Sequence, residues 1–121
     1  MTAKPLGPYT PVVRAGDLLF VSGQVGARDG TLISGGTVDQ LRQAIANLRS
    51  LLEANGAALT DVVKTTVFLK HMSDFNPMNE AYMEEFGDHR PARSTIGVAE
   101  LPVNALVEIE AVAFKPLENP S

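Results

Sequence analysis

Apolar positions near the start of the chain come in short bursts separated by turn residues. Val12-Val13, a turn at Ala15-Gly16 and then Leu18-Leu19-Phe20-Val21-Ser22 read as a hairpin, and Asp29-Gly30 makes another turn before Thr31-Leu32-Ile33. Three short strands therefore open the fold. Thr37, with Gln40 three residues later, has the form of a capping box, and Leu41, Ile45, Leu48 and Leu52 recur at helical spacing until Asn55-Gly56 closes the segment. Val62 to Leu69 is rich in β-branched residues and has strand length; its apolar residues fall on both faces, which predicts a central strand covered on both sides. Asn76 followed by Pro77 suits the cap and first position of a second helix, in which Met78, Tyr82 and Phe86 share a face before Gly87. Arg93 to Val98 and Leu106 to Phe114 then read as a last hairpin.

The order βββαβαββ predicts an α+β domain with a sheet of about six strands and two helices, which can cover only one face of it. In the final strand Val107, Ile109, Ala111 and Ala113 form one apolar face. The other, made by Leu106, Glu108, Glu110, Val112 and Phe114, is also largely apolar. A second apolar face with no helix left to cover it predicts self-association.

The length of 121 residues fits one domain, residues 1–121, with loose termini at about 1–8 and 116–121. With 45% hydrophobic and 20% charged residues, the composition is that of an ordinary globular protein. A net charge of −4, with the basic residues scattered among acids, argues against nucleic acid as the main partner. The absence of cysteine removes disulfides, a thiol nucleophile and a thiolate metal site. No apolar run approaches the roughly 18 residues that would span a bilayer, and Met1 to Pro8 lacks the apolar stretch of a secretion signal, so a cytoplasmic location without membrane contact is expected.

Several site types fall away. His71 and His89 lie apart in loops and match no metal-ligand spacing; Gly23, Gly26 and Gly35-Gly36 form no phosphate-binding loop; Met72, Met78 and Met83 read as packing. What remains is Arg93, in Pro91-Ala92-Arg93-Ser94-Thr95, and Glu108, in Glu108-Ile109-Glu110, expected on neighbouring strands of the last hairpin. A guanidinium presents a planar fork of donors suited to a small carboxylate, and a facing glutamate can handle a proton. By spacing alone the two could equally be an ion pair that holds the sheet together.

Blocks elsewhere bear on that choice. Gly7-Pro8-Tyr9, Phe20-Val21-Ser22-Gly23-Gln24, Asn47-Leu48, Val63 to Phe68, Asn79-Glu80-Ala81-Tyr82, Pro91 to Thr95, Leu101-Pro102 and Glu108 to Ala111 occur together and in order. This set resembles the Rid family, the reactive intermediate deaminases also called YjgF or L-PSP proteins, and is closest to their imine/enamine deaminase subgroup. The resemblance runs from about Gly7 to Phe114.

The resemblance implies a chorismate-mutase-like α+β subunit with one mixed sheet, assembled as a homotrimer with active sites between subunits. The substrates it implies are 2-imino acids and their enamine tautomers, hydrolysed to 2-keto acids and ammonia with no metal or organic cofactor. Arg93 would bind the substrate carboxylate and Glu108 would orient or activate the attacking water. Tyr9, Ser22, Gly23, Asn79 and Thr95 would supply further substrate contacts, and which chain gives each residue is left open. Thr95 stands where many members carry Cys, which removes thiol chemistry there but not a backbone contact. A non-catalytic module that binds small carboxylates or keto acids is the main alternative. Cleavage of RNA, with which an older family name is associated, is a lesser one.

Overall fold

The computed structural model describes residues 5–118; residues 1–4 and 119–121, the outer parts of the expected loose termini, lie outside them. Among the described residues the strands are β1 (Val12–Ala15), β2 (Leu18–Val25), β3 (Ala27–Arg28), β4 (Thr31–Leu32), β5 (Val62–Leu69), β6 (Ala92–Gly97) and β7 (Val107–Phe114). The helices are α1 (Thr37–Ala54), between β4 and β5, and α2 (Phe75–Phe86), between β5 and β6. The main sheet is mixed and runs β1-β2-β7-β5-β6, with only the β5–β6 pair parallel. It has five strands rather than six, because Thr31-Leu32 pairs with Ala27-Arg28 in a separate ribbon.

The expected hairpin between β6 and β7 does not form. β5 lies between them, parallel to β6 and antiparallel to β7. A strand, helix, strand crossover through α2 returns the chain parallel to the strand it left, so β6 takes the outer edge of β5. β7 then fills the gap between β5 and β2.

Both helices pack on the same face. Leu41, Ala44, Ile45, Leu48 and Leu52 of α1 are fully buried, and Met78, Ala81, Tyr82 and Phe86 of α2 join them against Leu19, Val21, Thr65, Val67, Val107, Ile109 and Ala111. At about 1.5–3 kcal/mol for each large apolar side chain taken from water, this layer is the main source of cohesion. α1 ends where Asn55 closes its last turn, its side chain donating to the Leu51 carbonyl at 2.8 Å, and Gly56 follows at φ 78°.

The expected capping box at Thr37 is absent. Gly36 is the cap, while the Thr37 hydroxyl donates to Asp74 at 2.6 Å and the Gln40 side chain accepts the Leu106 N–H at 2.8 Å. Both side chains serve partners distant in sequence. α2 likewise starts earlier than Asn76-Pro77 suggests, with Asp74 as its cap.

The opposite face of the sheet is open. β5 buries Thr65, Val67 and Leu69, but Lys64, Thr66 and Phe68 on its other side are only half-buried, so the expected cover on both faces is present on one. Val13, Phe20 and Phe114 stand 50%, 44% and 48% exposed there, with Val112 paired to Phe20. No described helix is long and apolar enough to cross a membrane.

Candidate active site

Arg93 enters from the edge strand. On β6 it pairs with Thr65 of β5, whose side chain is on the helix face, and its guanidinium runs under α2. Nη2 donates to Asn79 Oδ1 at 2.7 Å, and Nη1 approaches Met78 Sδ at 3.8 Å. The guanidinium carbon lies 4.9 Å from the centre of the Tyr82 ring and 5.8 Å from that of Phe75. Tyr82 is fixed from below by a 2.8 Å hydrogen bond between its hydroxyl and Thr65 Oγ1. Burial raises the Tyr82 phenol above its ordinary range, against the Thr65 hydrogen bond and the Arg93 charge, which lower it.

Among the described residues the ion pairs involve Arg42, Arg49 and Lys115, and none involves Arg93. A half-buried guanidinium is thus held by an amide, a sulfur and two rings, with most of its five N–H donors unused. Thr95, two residues on and on the same side of β6, has a buried hydroxyl with no hydrogen-bond partner.

Glu108 belongs to the other side of the sheet. It alternates on β7 with Val107 and Ile109, which are in the core, so its carboxylate rises on the open face. A side chain at Gly23 would put its Cβ 2.7 Å from both the carboxyl carbon and Oε2 of Glu108; only glycine leaves room for the carboxylate there. Gly23 sits where β2 loses register with β7, between Val21 and Gln24. Burial, assisted by the Glu110 charge, holds the Glu108 carboxyl above the usual carboxylate range. Ser22, beside Gly23, has a second buried hydroxyl with no partner. Tyr9 is half-exposed, its hydroxyl accepting the Leu6 N–H at 3.2 Å, and it shares with Gly23 the wall of a cleft of about 430 Å³ that reaches Asn47 and Leu51 of α1.

The seven residues picked from the sequence thus fall into two groups. Arg93, Asn79 and Thr95 gather at the β6 edge under α2. Ser22, Gly23 and Glu108 gather at the β2–β7 step of the open face, with Tyr9 along the cleft beside Gly23. Arg93 and Glu108 are not on neighbouring strands, contrary to the sequence reading, and they point to opposite faces with β5 between them. An ion pair between them within one subunit is therefore excluded.

The sequence does not single out Phe75, and it shows Tyr82 and Thr65 only as parts of the second helix's packed face and the central strand, not as neighbours of Arg93. Phe75 and Asn79 are four residues apart on one helix, which places them on one face, but only the fold shows that Arg93 lies there. Among the described residues no three His, Asp or Glu side chains gather as a metal site. His89, one of two histidines, is bound through Nε2 to the Val62 carbonyl at 2.7 Å.

The structure is thus an α+β subunit with an arginine that makes no ion pair among the described residues at one sheet edge and a raised carboxyl on the open face. The family model described as Endoribonuclease L-PSP matches residues 1–115. A RutC family protein of Pyrococcus horikoshii is 46% identical over 114 residues, 93% of this chain and 90% of that one. A human protein named 2-iminobutanoate/2-iminopropanoate deaminase is 42% identical over 112 residues, 91% of this chain and 82% of that one. Among solved structures, Escherichia coli TdcF with bound serine superposes with a TM-score of 0.88 at 35% identity, covering 94% of this chain and 93% of that one. The chain belongs to the L-PSP, or Rid, family.

Proposed function

We propose that the protein hydrolyses 2-imino acids and their enamine tautomers to 2-keto acids and ammonia, in sites shared between subunits of a homotrimer. The observation that carries this is the separation of Arg93 from Glu108: a cation without an anion and a carboxyl without a cation, on opposite faces of one sheet. A small acid that uses both must lie between two copies, the β6 edge and α2 of one against the open β2–β7 face of the next. Such an interface is heterologous and closes when the rotation between copies completes a ring. It also covers Phe20, Val112 and Phe114.

In that cleft the free N–H groups of Arg93 clamp the substrate carboxylate, with Thr95 beside it. Clamping fixes the imine carbon, which is already electrophilic when its nitrogen is protonated, so neither a covalent nucleophile nor a Lewis acid is required. Glu108 of the neighbouring copy takes a proton from water as the oxygen adds to that carbon. It then passes that proton to nitrogen; as the carbon–nitrogen bond breaks, the added hydroxyl gives its proton back to Glu108, which hands it to the departing ammonia, so that ammonium and the keto acid leave and Glu108 is again ionised. A carboxyl raised by burial is a stronger base than an exposed one, which suits it to this step. Ser22 and Tyr9 complete the wall on the Glu108 side.

The deaminase name of the human relative and the serine bound to TdcF support this reading, since serine is the kind of small amino acid from which such an imine derives. The family description also names an endoribonuclease. The commitment of His89 to a backbone carbonyl and the net charge of −4 count against RNA cleavage here. The test is release of pyruvate from 2-aminoacrylate generated in situ. Wild-type protein should accelerate it and Arg93→Ala should lose roughly 100-fold or more in kcat/KM; equal acceleration by Arg93→Ala would refute the mechanism.

A further inference from the structure

Exposed apolar side chains bracket the Arg93 clamp. Phe75, Asn79 and Met83 recur every four residues along α2 and so form one stripe, with Asn79, the residue that holds Arg93, at its centre. Phe75 is 36% exposed and Met83 45%. Met72, 46% exposed in the turn before the helix, stands against the end of β6, where a Cβ on Gly97 would be 2.9 Å from its Cγ. Of the two rings beside the guanidinium, Tyr82 is 3% exposed and enclosed by the core, whereas Phe75 is open at the surface of the single subunit, on the side that the proposed shared cleft adjoins.

A carboxylate seated on Arg93 holds its α-carbon, and the substituent on that carbon, within a few ångströms of the guanidinium. Phe75, carried by the first turn of α2, is an apolar group at that distance that is also open at the surface. Met72 extends the same surface towards Gly97. Met83 lies two helical turns beyond Phe75. From this we infer that Phe75, extended by Met72, is the specificity wall of the site: it favours 2-imino acids with a branched aliphatic or aromatic side chain over those that carry a single methyl. The inference rests on the imine-hydrolase reading and assigns it a substrate class.

The test uses imines made in situ by a D-amino acid oxidase from D-leucine and D-alanine, with semicarbazide trapping whatever imine the protein has not removed. The ratio of kcat/KM for the leucine-derived over the alanine-derived imine should fall roughly 10-fold in Phe75→Ala, the size expected when a hydrophobic pocket loses its contact, and should recover in Phe75→Leu. Because Phe75 also lies over Arg93, the ratio rather than the absolute rate is the readout. Calorimetry with 4-methyl-2-oxopentanoate and pyruvate reads the same selectivity in binding, with the same fall expected. A wild-type protein that removes no imine would defeat the hydrolase reading, while the calorimetric ratio would still judge Phe75. A ratio unchanged by Phe75→Ala in both measurements overturns the inference.

Discussion

The position of a Cβ on Gly23 coincides with the carboxylate of Glu108, 2.7 Å from its carboxyl carbon. The obstructing group is the end of a flexible side chain, so an added methyl moves Glu108 rather than the backbone. Gly23→Ala should therefore fold with near wild-type thermal stability and lose roughly 100-fold in kcat, the scale of a misplacement of about 1 Å at a reacting group. A melting curve beside the deamination assay checks this. An alanine variant with full activity would mean that the Glu108 position is unimportant.

The raised Glu108 carboxyl makes two pH-dependent outcomes explicit. As a base it acts only when ionised, so kcat/KM should fall with decreasing pH at a point above the ordinary glutamate value of 4.5. Glu110→Gln removes the like charge that adds to burial, and should move this limb to lower pH. For stability, a folded-state value above the unfolded one means that the folded protein binds the proton more tightly. Glu108 thus opposes folding at neutral pH, and that penalty is relieved as pH falls through the folded value towards the unfolded one. Glu108→Gln should consequently be more stable than wild type at pH 7 in urea titration, although inactive. A less stable variant would contradict the assignment of burial as the cause.

Tyr82 links the core to the clamp through Thr65. Tyr82→Phe keeps the ring beside Arg93 but strands Thr65 Oγ1, which is fully buried. It should destabilise the protein by about 1–3 kcal/mol, the usual cost of leaving one buried polar group unpaired. Chemical denaturation measures this directly, and no loss would show that water replaces the phenol.

Phe20 is exposed on the open face beside Val13 and Val112. Phe20→Asp should leave the subunit folded, since that face is not part of the helix-side core, yet dissociate the assembly and abolish activity with it. Sedimentation and circular dichroism together distinguish this from unfolding. If the wild-type protein assembles as proposed, a variant with the same assembly mass as wild type would place the interface elsewhere.

How much of this was readable in the sequence depended on whether the determinants were local. The Val62–Leu69 strand and the α1 stripe of Leu41, Ile45, Leu48 and Leu52 were legible because period and β-branching act within the segment. The partner of β6 was not, because strand pairing depends on the crossover through α2 and not on adjacency along the chain. Thr37 illustrates the same limit at one residue: a good capping motif loses its hydroxyl to Asp74, 37 residues away. All seven expected site residues proved to lie in two groups, but that Arg93 and Glu108 occupy opposite faces could be known only once β5 was placed between them. The role of Phe75 and Tyr82 beside Arg93 was hidden because an aromatic pair at helical spacing looks the same whether it fills a core or flanks a cation.

The shared site is the claim on which the others depend, and complementation tests it most directly. Arg93→Ala and Glu108→Gln, each inactive alone, can be refolded together in equal amounts so that subunits mix. If each site takes Arg93 from one copy and Glu108 from another, about one site in four receives both intact residues, and about a quarter of wild-type activity should return. A mixture as inactive as its two components, with mixed assemblies demonstrated by mass, would show that no site combines Arg93 of one copy with Glu108 of another and contradict the account.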